Sequence, residues 1–509
     1  EEVLGRKPSI EQDANLIVAE IASSGFPVNT VDTSNDLMDR ILLMAQWTML
    51  NNAHGHPTDT PSREKNGWMG DGWADAEAWI IHFDVSQFYT LWVRNMAHAM
   101  NHNGDLNVVV PSSWGFGFDD MPGWAPANGP VPAWDLAFFE IPWDLYRYYG
   151  NAALLNEIFA AQEKSMNYYT QKFTPENHYT HFESTLAEYS SGAITDGSQV
   201  NINHQLYYRM ADIMSKEAEV LGRIEDVQKY RQLANMLLKE FITIYWDETT
   251  HSFQKGASGN IETEQAMAIA YDMVPGNDLD PADPRYLATS TNTQAQNKSS
   301  VAAVIANSIK TNKNRIGVGI YGLHYLFNIL DEYGYKDLAY SVVTGVENPS
   351  WGNILAQGGT TLQERWGGIA GNHHYHSSFI TWYYQGLAGI KPTSVGYATI
   401  RIKPYVPTNT GISSVPPFNE TNTEVSSPLK EVSASINSPR GMIKSGWTND
   451  ASFTLNVTIP SNTPAEVWVP GKQANVKAPA DAKFVKEEEG YAVYSVGAGS
   501  HVFTADKVE

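Results

Sequence analysis

Asp59-Thr-Pro-Ser-Arg63-Glu64-Lys-Asn-Gly67-Trp68-Met-Gly70-Asp71 gathers three carboxylates, one arginine and one tryptophan into a short stretch. Pro61, Gly67 and Gly70 punctuate it, which predicts irregular backbone rather than helix or strand interior. A second stretch mirrors the first: Gly358-Gly-Thr-Thr361-Leu-Gln-Glu364-Arg365-Trp366-Gly-Gly, followed by Gly371-Asn372-His373-His374-Tyr375-His376. Two acidic loops this far apart suit a reaction that needs two facing carboxyl groups. Glycoside hydrolysis is the leading case: one carboxylic acid protonates the leaving oxygen while the other, ionised, activates water. A glutamate beside Arg and Trp can be pulled in either direction, so residue types alone do not assign the two roles. The plainer reading makes Glu64 and Glu364 partners of Arg63 and Arg365, or simple loop charges.

Other chemistries find less support. His373, His374 and His376 lack the fixed helical offset and partner carboxylate of a metal site, so the reading carries no metal and no cofactor. Hydrogen bonding to a ligand, or packing, accounts for them instead. No Gly-x-Ser-x-Gly elbow and no phosphate-binding glycine loop in a strand–turn–helix setting is present. The chain of 509 residues contains no cysteine, which removes disulfides, thiolate nucleophiles and cysteine metal sites. A formal net charge of −22 opposes nucleic-acid binding, which needs clustered Lys and Arg. Aromatic residues make up 12% of the chain, with 15 Trp and 26 Tyr; such rings stack on the flat apolar faces of sugars. No run of about 18 apolar residues predicts a membrane span.

These residues must be held by a scaffold. Residues 1–33 read as a leader segment. A helix is predicted after Ser34-Asn35, with Leu37, Met38, Ile41, Leu42, Met44 and Trp47 along one stripe. A long helix is expected over 74–100, then an aromatic loop over 101–133 containing Trp114, Asp119, Asp120 and Trp124. Pro132-Ala-Trp134-Asp135 leads into a helix ended by Gly150. A helix pair is expected near 151–173, followed by a looped stretch with Glu183, Glu188, Tyr189 and Asp196. The 204–221 and 225–246 helices are joined so briefly that they must be antiparallel neighbours, and similar pairs recur to about residue 345. The predicted fold is mainly α: an (α/α)6 barrel over 34–392, then a smaller antiparallel β-sandwich over 393–509, where alternation such as Phe453, Leu455, Val457, Ile459 takes over.

The loops resemble those of the α-L-rhamnosidases of glycoside hydrolase family 78. The resemblance runs from Asp59 through Arg63, Glu64, Gly67, Trp68, Gly70 and Asp71 to Pro132-Ala-Trp134-Asp135 and Pro142-Trp143. It continues through Asn348-Pro-Ser-Trp351, Thr360-Thr-Leu-Gln-Glu364-Arg-Trp366 and His373 to Ile390. It implies inverting, exo-acting hydrolysis of terminal α-L-rhamnosides, with Glu64 as general acid and Glu364 as general base. It implies that Asp59, Arg63 and His373 hold hydroxyls and that Trp68 and Trp134 wall the sugar. Asp71, Asp135, Tyr189 and Trp366 complete the expected substrate-binding set. The chain departs from the family pattern in having one residue fewer between Arg63 and Glu64, Gln363 before Glu364, Ala187-Glu188-Tyr189 at the expected rim, a short spacing from Glu364 to His373, and none of the family's common N-terminal β-domains in this sequence.

Two rival readings stay open. A polysaccharide lyase acting on rhamnose/uronate polymers would draw on Tyr189, His373 and Arg365. A non-catalytic carbohydrate-binding protein would use the acids only as acceptors. A carbohydrate partner, an extracytoplasmic location and a monomer or homodimer complete the expectations. Asn297, Asn419 and Asn456 head N-glycosylation triplets.

Overall fold

The structure is a computed structural model, and it describes residues 28–111, 130–173, 200–254, 261–367, 371–414 and 425–509. The leader to residue 27, the aromatic stretch 112–129 and the stretch 174–199, with Glu183, Glu188, Tyr189 and Asp196, lie outside the described residues.

Helix α1 (Asp36–Asn51) begins where Asn35 accepts from the Met38 amide at 3.1 Å, as an N-cap should. Its stripe of Leu37, Met38, Ile41 and Met44 is buried. Then follow α2 (Met69–Ala74), α3 (Ala76–His82), α4 (Ser86–Ala99), α5 (Pro132–Asp135), α6 (Ala137–Tyr149), α7 (Ala152–Lys172), α8 (Val200–Val220) and α9 (Ile224–Tyr245). The series closes with α10 (Ile261–Ala270), α11 (Gln294–Thr311), α12 (Ile320–Glu332), α13 (Lys336–Val343), α14 (Trp351–Ala356), a 3-10 turn at His374–Ile380 and a π-turn at Tyr383–Leu387.

Two expectations are corrected here. The single helix over 74–100 is interrupted: Phe83 is extended and pairs through its backbone with Val28, so α3 stops and α4 restarts at Ser86. The helix pair near 151–173 is one unbroken helix, α7, started by the Asn151 side chain on the Leu154 amide.

Helices alternate between two rings. Residues of α2, α3, α10 and most of α6 and α12 are buried, whereas α9 and α11 each keep one exposed face. The inner elements follow one another as α2/α3, α6, α8, α10, α12 and the 374–387 turns, which pack back against α2 and α3. Closure of this ring makes the first and last inner elements neighbours. The loops that lead into them, 52–68 and 357–373, therefore meet although they are remote in sequence.

A β-sandwich follows. One sheet runs β1-β6-β7-β8-β12 and the other β10-β11-β9-β3-β2, with a separate β4-β5 pair. The strands are β1 (Thr30–Thr33), β2 (Ile390–Pro392), β3 (Ile400–Ile402), β4 (Thr410–Ser414), β5 (Val425–Pro428), β6 (Glu431–Ser438), β7 (Gly441–Asn449), β8 (Ser452–Ile459), β9 (Ala465–Pro470), β10 (Lys483–Glu488), β11 (Tyr491–Val496) and β12 (Gly499–Asp506). Phe453, Leu455, Val457 and Ile459 all point into the core, as period-two alternation requires. Strand β1 precedes the barrel in sequence yet pairs antiparallel with β6, Val31 opposite Ala434. The chain thus stitches its start to its end. Asn297 is fully buried, its amide donating to the Pro275 carbonyl at 3.0 Å, so that glycosylation triplet is internal.

Candidate active site

Loop 52–68 is anchored at both ends. The Asp59 amide donates to the Asn66 carbonyl at 2.9 Å, the Asn66 amide returns to Asp59 Oδ1 at 2.8 Å, and the Lys65 amide closes on Thr60 at 3.1 Å. Lys65 adopts φ 60° to make that turn. Gly67 lies against the 108–110 strand: its carbonyl accepts from the Val110 amide at 2.8 Å, and a Cβ there would sit 2.0 Å from the Val110 oxygen. Only glycine fits that approach.

The second loop is tied to the same helix end. The Leu362 amide donates to Thr48 Oγ1 at 2.8 Å, and Asn52 Nδ2 donates to the Asn372 carbonyl at 2.9 Å. Asn52 Oδ1 accepts from Thr58 Oγ1 at 3.0 Å. One asparagine therefore holds both loops. Asn51-Asn52 at a helix end was the visible signal for it, and residue-type reasoning passed over it.

On this frame the two glutamates converge. Arg63 Nη2 lies 3.0 Å from Glu364 Oε2 and 3.3 Å from Glu64 Oε1. Those two oxygens are thus within about 6.3 Å of each other. Glu64 Oε2 accepts from Trp68 Nε1 at 2.7 Å, and the Tyr375 hydroxyl donates to the Glu364 carbonyl. The two carboxylates hold the Arg63 guanidinium above its ordinary pKa against the opposing effect of burial.

Around them burial raises the carboxyl groups above their ordinary range. Asp59 is buried, which pushes its carboxyl up to about 7, with the Glu64 charge adding to the effect; its Oδ2 has no partner. Burial and the charge of Asp59 raise Asp71 well above the carboxylate range. His373 Nε2 is 3.4 Å from Asp71 Oδ1, and burial holds this imidazole well below its ordinary pKa. His374 pairs with Asp75 at 3.0 Å, and Ser377 Oγ donates to the same carboxylate at 2.5 Å. His376 Nδ1 donates to the Gln363 carbonyl at 3.1 Å, and the ring stacks on Trp366 with centroids 5.0 Å apart. The three histidines thus serve three purposes, and among the described residues no cluster arranged to hold a metal is found.

Trp134 packs edge-on against Tyr321 at 6.2 Å, and Tyr321 stacks on Trp73 at 4.9 Å. These rings come from α5, α12 and α2, so they tie three elements together in the interior. Gly70 makes room for Trp134: a Cβ there would lie 2.4 Å from its indole. Asp135 is buried in the wall, accepting from the Tyr169 hydroxyl at 2.7 Å and the Val131 amide at 3.0 Å, with its pKa raised to about 7 by burial. Of the expected residues, the structure brings together Glu64, Glu364, Arg63, Asp59, Trp68, Asp71 and His373. Trp134 packs against Gly70 next to Asp71, and Trp366 lies in the second loop against His376; Tyr189 lies outside the described residues.

Residues 27–387 match the bacterial α-L-rhamnosidase six-hairpin glycosidase domain, and residues 389–482 match the bacterial α-L-rhamnosidase C-terminal domain. The chain belongs to the bacterial α-L-rhamnosidase family. An α-L-rhamnosidase of Formosa agariphila is 25% identical over 494 residues, covering 92% of this chain and 47% of its own. One from Streptomyces avermitilis is 25% identical over 489 residues, covering 93% of this chain and 42% of its own. The solved α-L-rhamnosidase of Dictyoglumus thermophilum superposes with a TM-score of 0.78 at 25% identity, over 95% of this chain and 51% of that one. The Streptomyces avermitilis enzyme, solved with L-rhamnose, gives the same TM-score at 24% identity over 95% of this chain and 42% of that one, a likeness of fold. This α-L-rhamnosidase family chain spans about half the length of the curated relatives it matches. Among its described residues, no helix is long and apolar enough to cross a membrane.

Proposed function

We propose that this chain is the catalytic part of an inverting exo-glycosidase that removes terminal α-L-rhamnosyl residues from oligosaccharides, polysaccharides or glycosides. The observation that carries the reading is the meeting of Glu64 and Glu364 at one arginine nitrogen, on loops at the ring's point of closure. Acid-assisted displacement by water needs two carboxyl groups, one on either side of the scissile bond, and these two come together at one guanidinium nitrogen. Glu64, held by Trp68, donates its proton to the glycosidic oxygen, which leaves with the aglycone. Glu364 takes a proton from a water that attacks C1 from the opposite ring face. Asp59, Asp71 and His373, whose charged forms burial disfavours, supply donors and acceptors suited to uncharged hydroxyls. The buried rings of Trp134, Tyr321 and Trp73 fill the interior near Gly70, which suits a closed-ended site that takes one terminal residue.

A uronate-directed lyase needs cations free to neutralise the substrate carboxylate. Here the nearest cation, Arg63, already serves two glutamates. We place the protein outside the cytoplasm, where polymeric glycosides are met, as a monomer or homodimer; cell fractionation and sedimentation test these two points. The test of function is proton NMR of products from a panel of α-L-rhamnosyl oligosaccharides. Release of L-rhamnose first seen as the β-anomer supports the reading. An unsaturated product or no product at all defeats it. Glu64→Gln and Glu364→Gln should each lower turnover by roughly 100-fold or more with an unchanged melting curve.

A further inference from the structure

Arg63 stands out because its guanidinium does not face a sugar-shaped space alone. It sits on the two residues assigned to the chemistry, through a single nitrogen, at 3.0 and 3.3 Å. Its backbone is fixed by the Thr60–Lys65 and Asp59–Asn66 bonds of the turn, while half of its side chain is open to solvent. Asp59 and Lys65 on the same loop, Asp71 on α2, and Arg365 and His373 on the second loop are the other titratable groups around it. Burial raises the Asp59 and Asp71 carboxyls and lowers the His373 imidazole. At the point of contact, the two glutamates share the one guanidinium nitrogen.

We propose that Arg63 is the residue that sets the charge preference of this site: it couples Glu64 to Glu364 and so makes the pair a poor binder of cationic sugars compared with neutral ones. This deepens the function proposed above and rests on it for the identity of the ligand. The physical reason is direct. Two carboxylates whose nearest oxygens are within about 6.3 Å repel one another and attract any cation placed between them. With a guanidinium resident there, a protonated amine in the sugar ring finds much of that attraction already used. With Arg63 removed, the same amine meets an uncompensated pair.

Two measurements on the full chain test this. First, a rhamnose-configured iminosugar, which is protonated at neutral pH, and L-rhamnono-lactone, which is neutral, are titrated calorimetrically into wild type, Arg63→Gln and Arg63→Lys. The ratio of iminosugar to lactone affinity should rise at least about tenfold in Arg63→Gln, or about 1.4 kcal/mol, and return toward the wild-type ratio in Arg63→Lys. An unchanged ratio overturns the proposal. Second, nitrogen-15 NMR follows the Arg63 guanidinium in wild type, Glu64→Gln and Glu364→Gln. Its resonance should move in both variants, because both carboxylates contact it; a resonance unmoved in either variant overturns the coupling. This second reading needs no sugar. If neither ligand binds the wild type, the rhamnoside function fails, while the guanidinium resonance still decides whether Arg63 couples the two glutamates.

Discussion

Asn52 Nδ2 donates to the Asn372 carbonyl at 2.9 Å, joining two loops separated by 320 positions of sequence. The same side chain accepts from Thr58 and donates to the Thr48 carbonyl. It is buried, so each lost bond leaves a group without water to replace it. Asn52→Ala should destabilise the fold by about 1–3 kcal/mol. It should also lower rhamnoside hydrolysis on the order of 10–100-fold, since small misplacements of reacting groups are that damaging. Thermal melting and initial rates check the two effects. Full activity with a lowered melting point would confine Asn52 to stability.

Gly70 faces the indole of Trp134 with no room for a methyl group. Gly70→Ala must push the ring or the start of α2 aside. Overpacking of this kind costs about 1–3 kcal/mol. Because Trp134 packs next to Asp71, a rise in KM should accompany the loss of stability. Denaturant unfolding and steady-state kinetics measure both. A stable variant with unchanged KM would separate Trp134 from sugar binding.

Asp59 titrates at about 7 in the fold, against about 3.9 in an unfolded chain. Between these values the native state binds the proton and the unfolded state does not. Stability therefore falls as pH rises from about 4 to about 7 and is level above that on this account. Asp59→Asn removes the contribution. The variant should gain on the wild type across that window, read by denaturant midpoints at half-unit pH steps. Parallel curves would show that Asp59 does not hold its proton.

His324 Nε2 lies 3.2 Å from Glu77 Oε2. Glu77 also receives the Tyr148 hydroxyl, and Arg209 clamps Glu140 at 2.5 and 2.8 Å. The His324 pKa is raised: burial opposes it, but the bond and charge of Glu77 prevail. Glu77 is correspondingly held below the carboxylate range by His324 and Arg147. His324→Leu leaves Glu77 with only Arg147 at 3.9 Å as its cation and should cost about 3 kcal/mol, the low end for breaking a buried pair. The advantage of wild type is full below about pH 6.5 and shrinks as pH rises through the raised histidine value. Melting curves at pH 6 and pH 9 provide the check.

Much was legible in residue order. The stripe of Leu37, Met38 and Ile41, the alternation of Phe453 to Ile459, and glycine at helix ends such as Gly150 are local signals, and the structure follows them. The two acidic loops were visible because carboxylates, arginine and tryptophan between glycines are unusual in short stretches. Other features were hidden because they depend on partners far along the chain. The break at Phe83 comes from pairing with Val28, and helical spacing across 74–100 carries no trace of that strand. Strand β1 looks like a leader until β6 arrives to receive it.

Residue types and spacing determined which groups could do acid–base chemistry and that helices, then strands, would carry them. Tertiary structure alone decided that Arg63 serves both glutamates, that Asn52 holds both loops, and that Trp73, Tyr321 and Trp134 tie three elements together in the interior. The reason is ring closure. It brings the first and last inner elements side by side, and short-range patterns contain no information about which remote residues a closed ring will make neighbours.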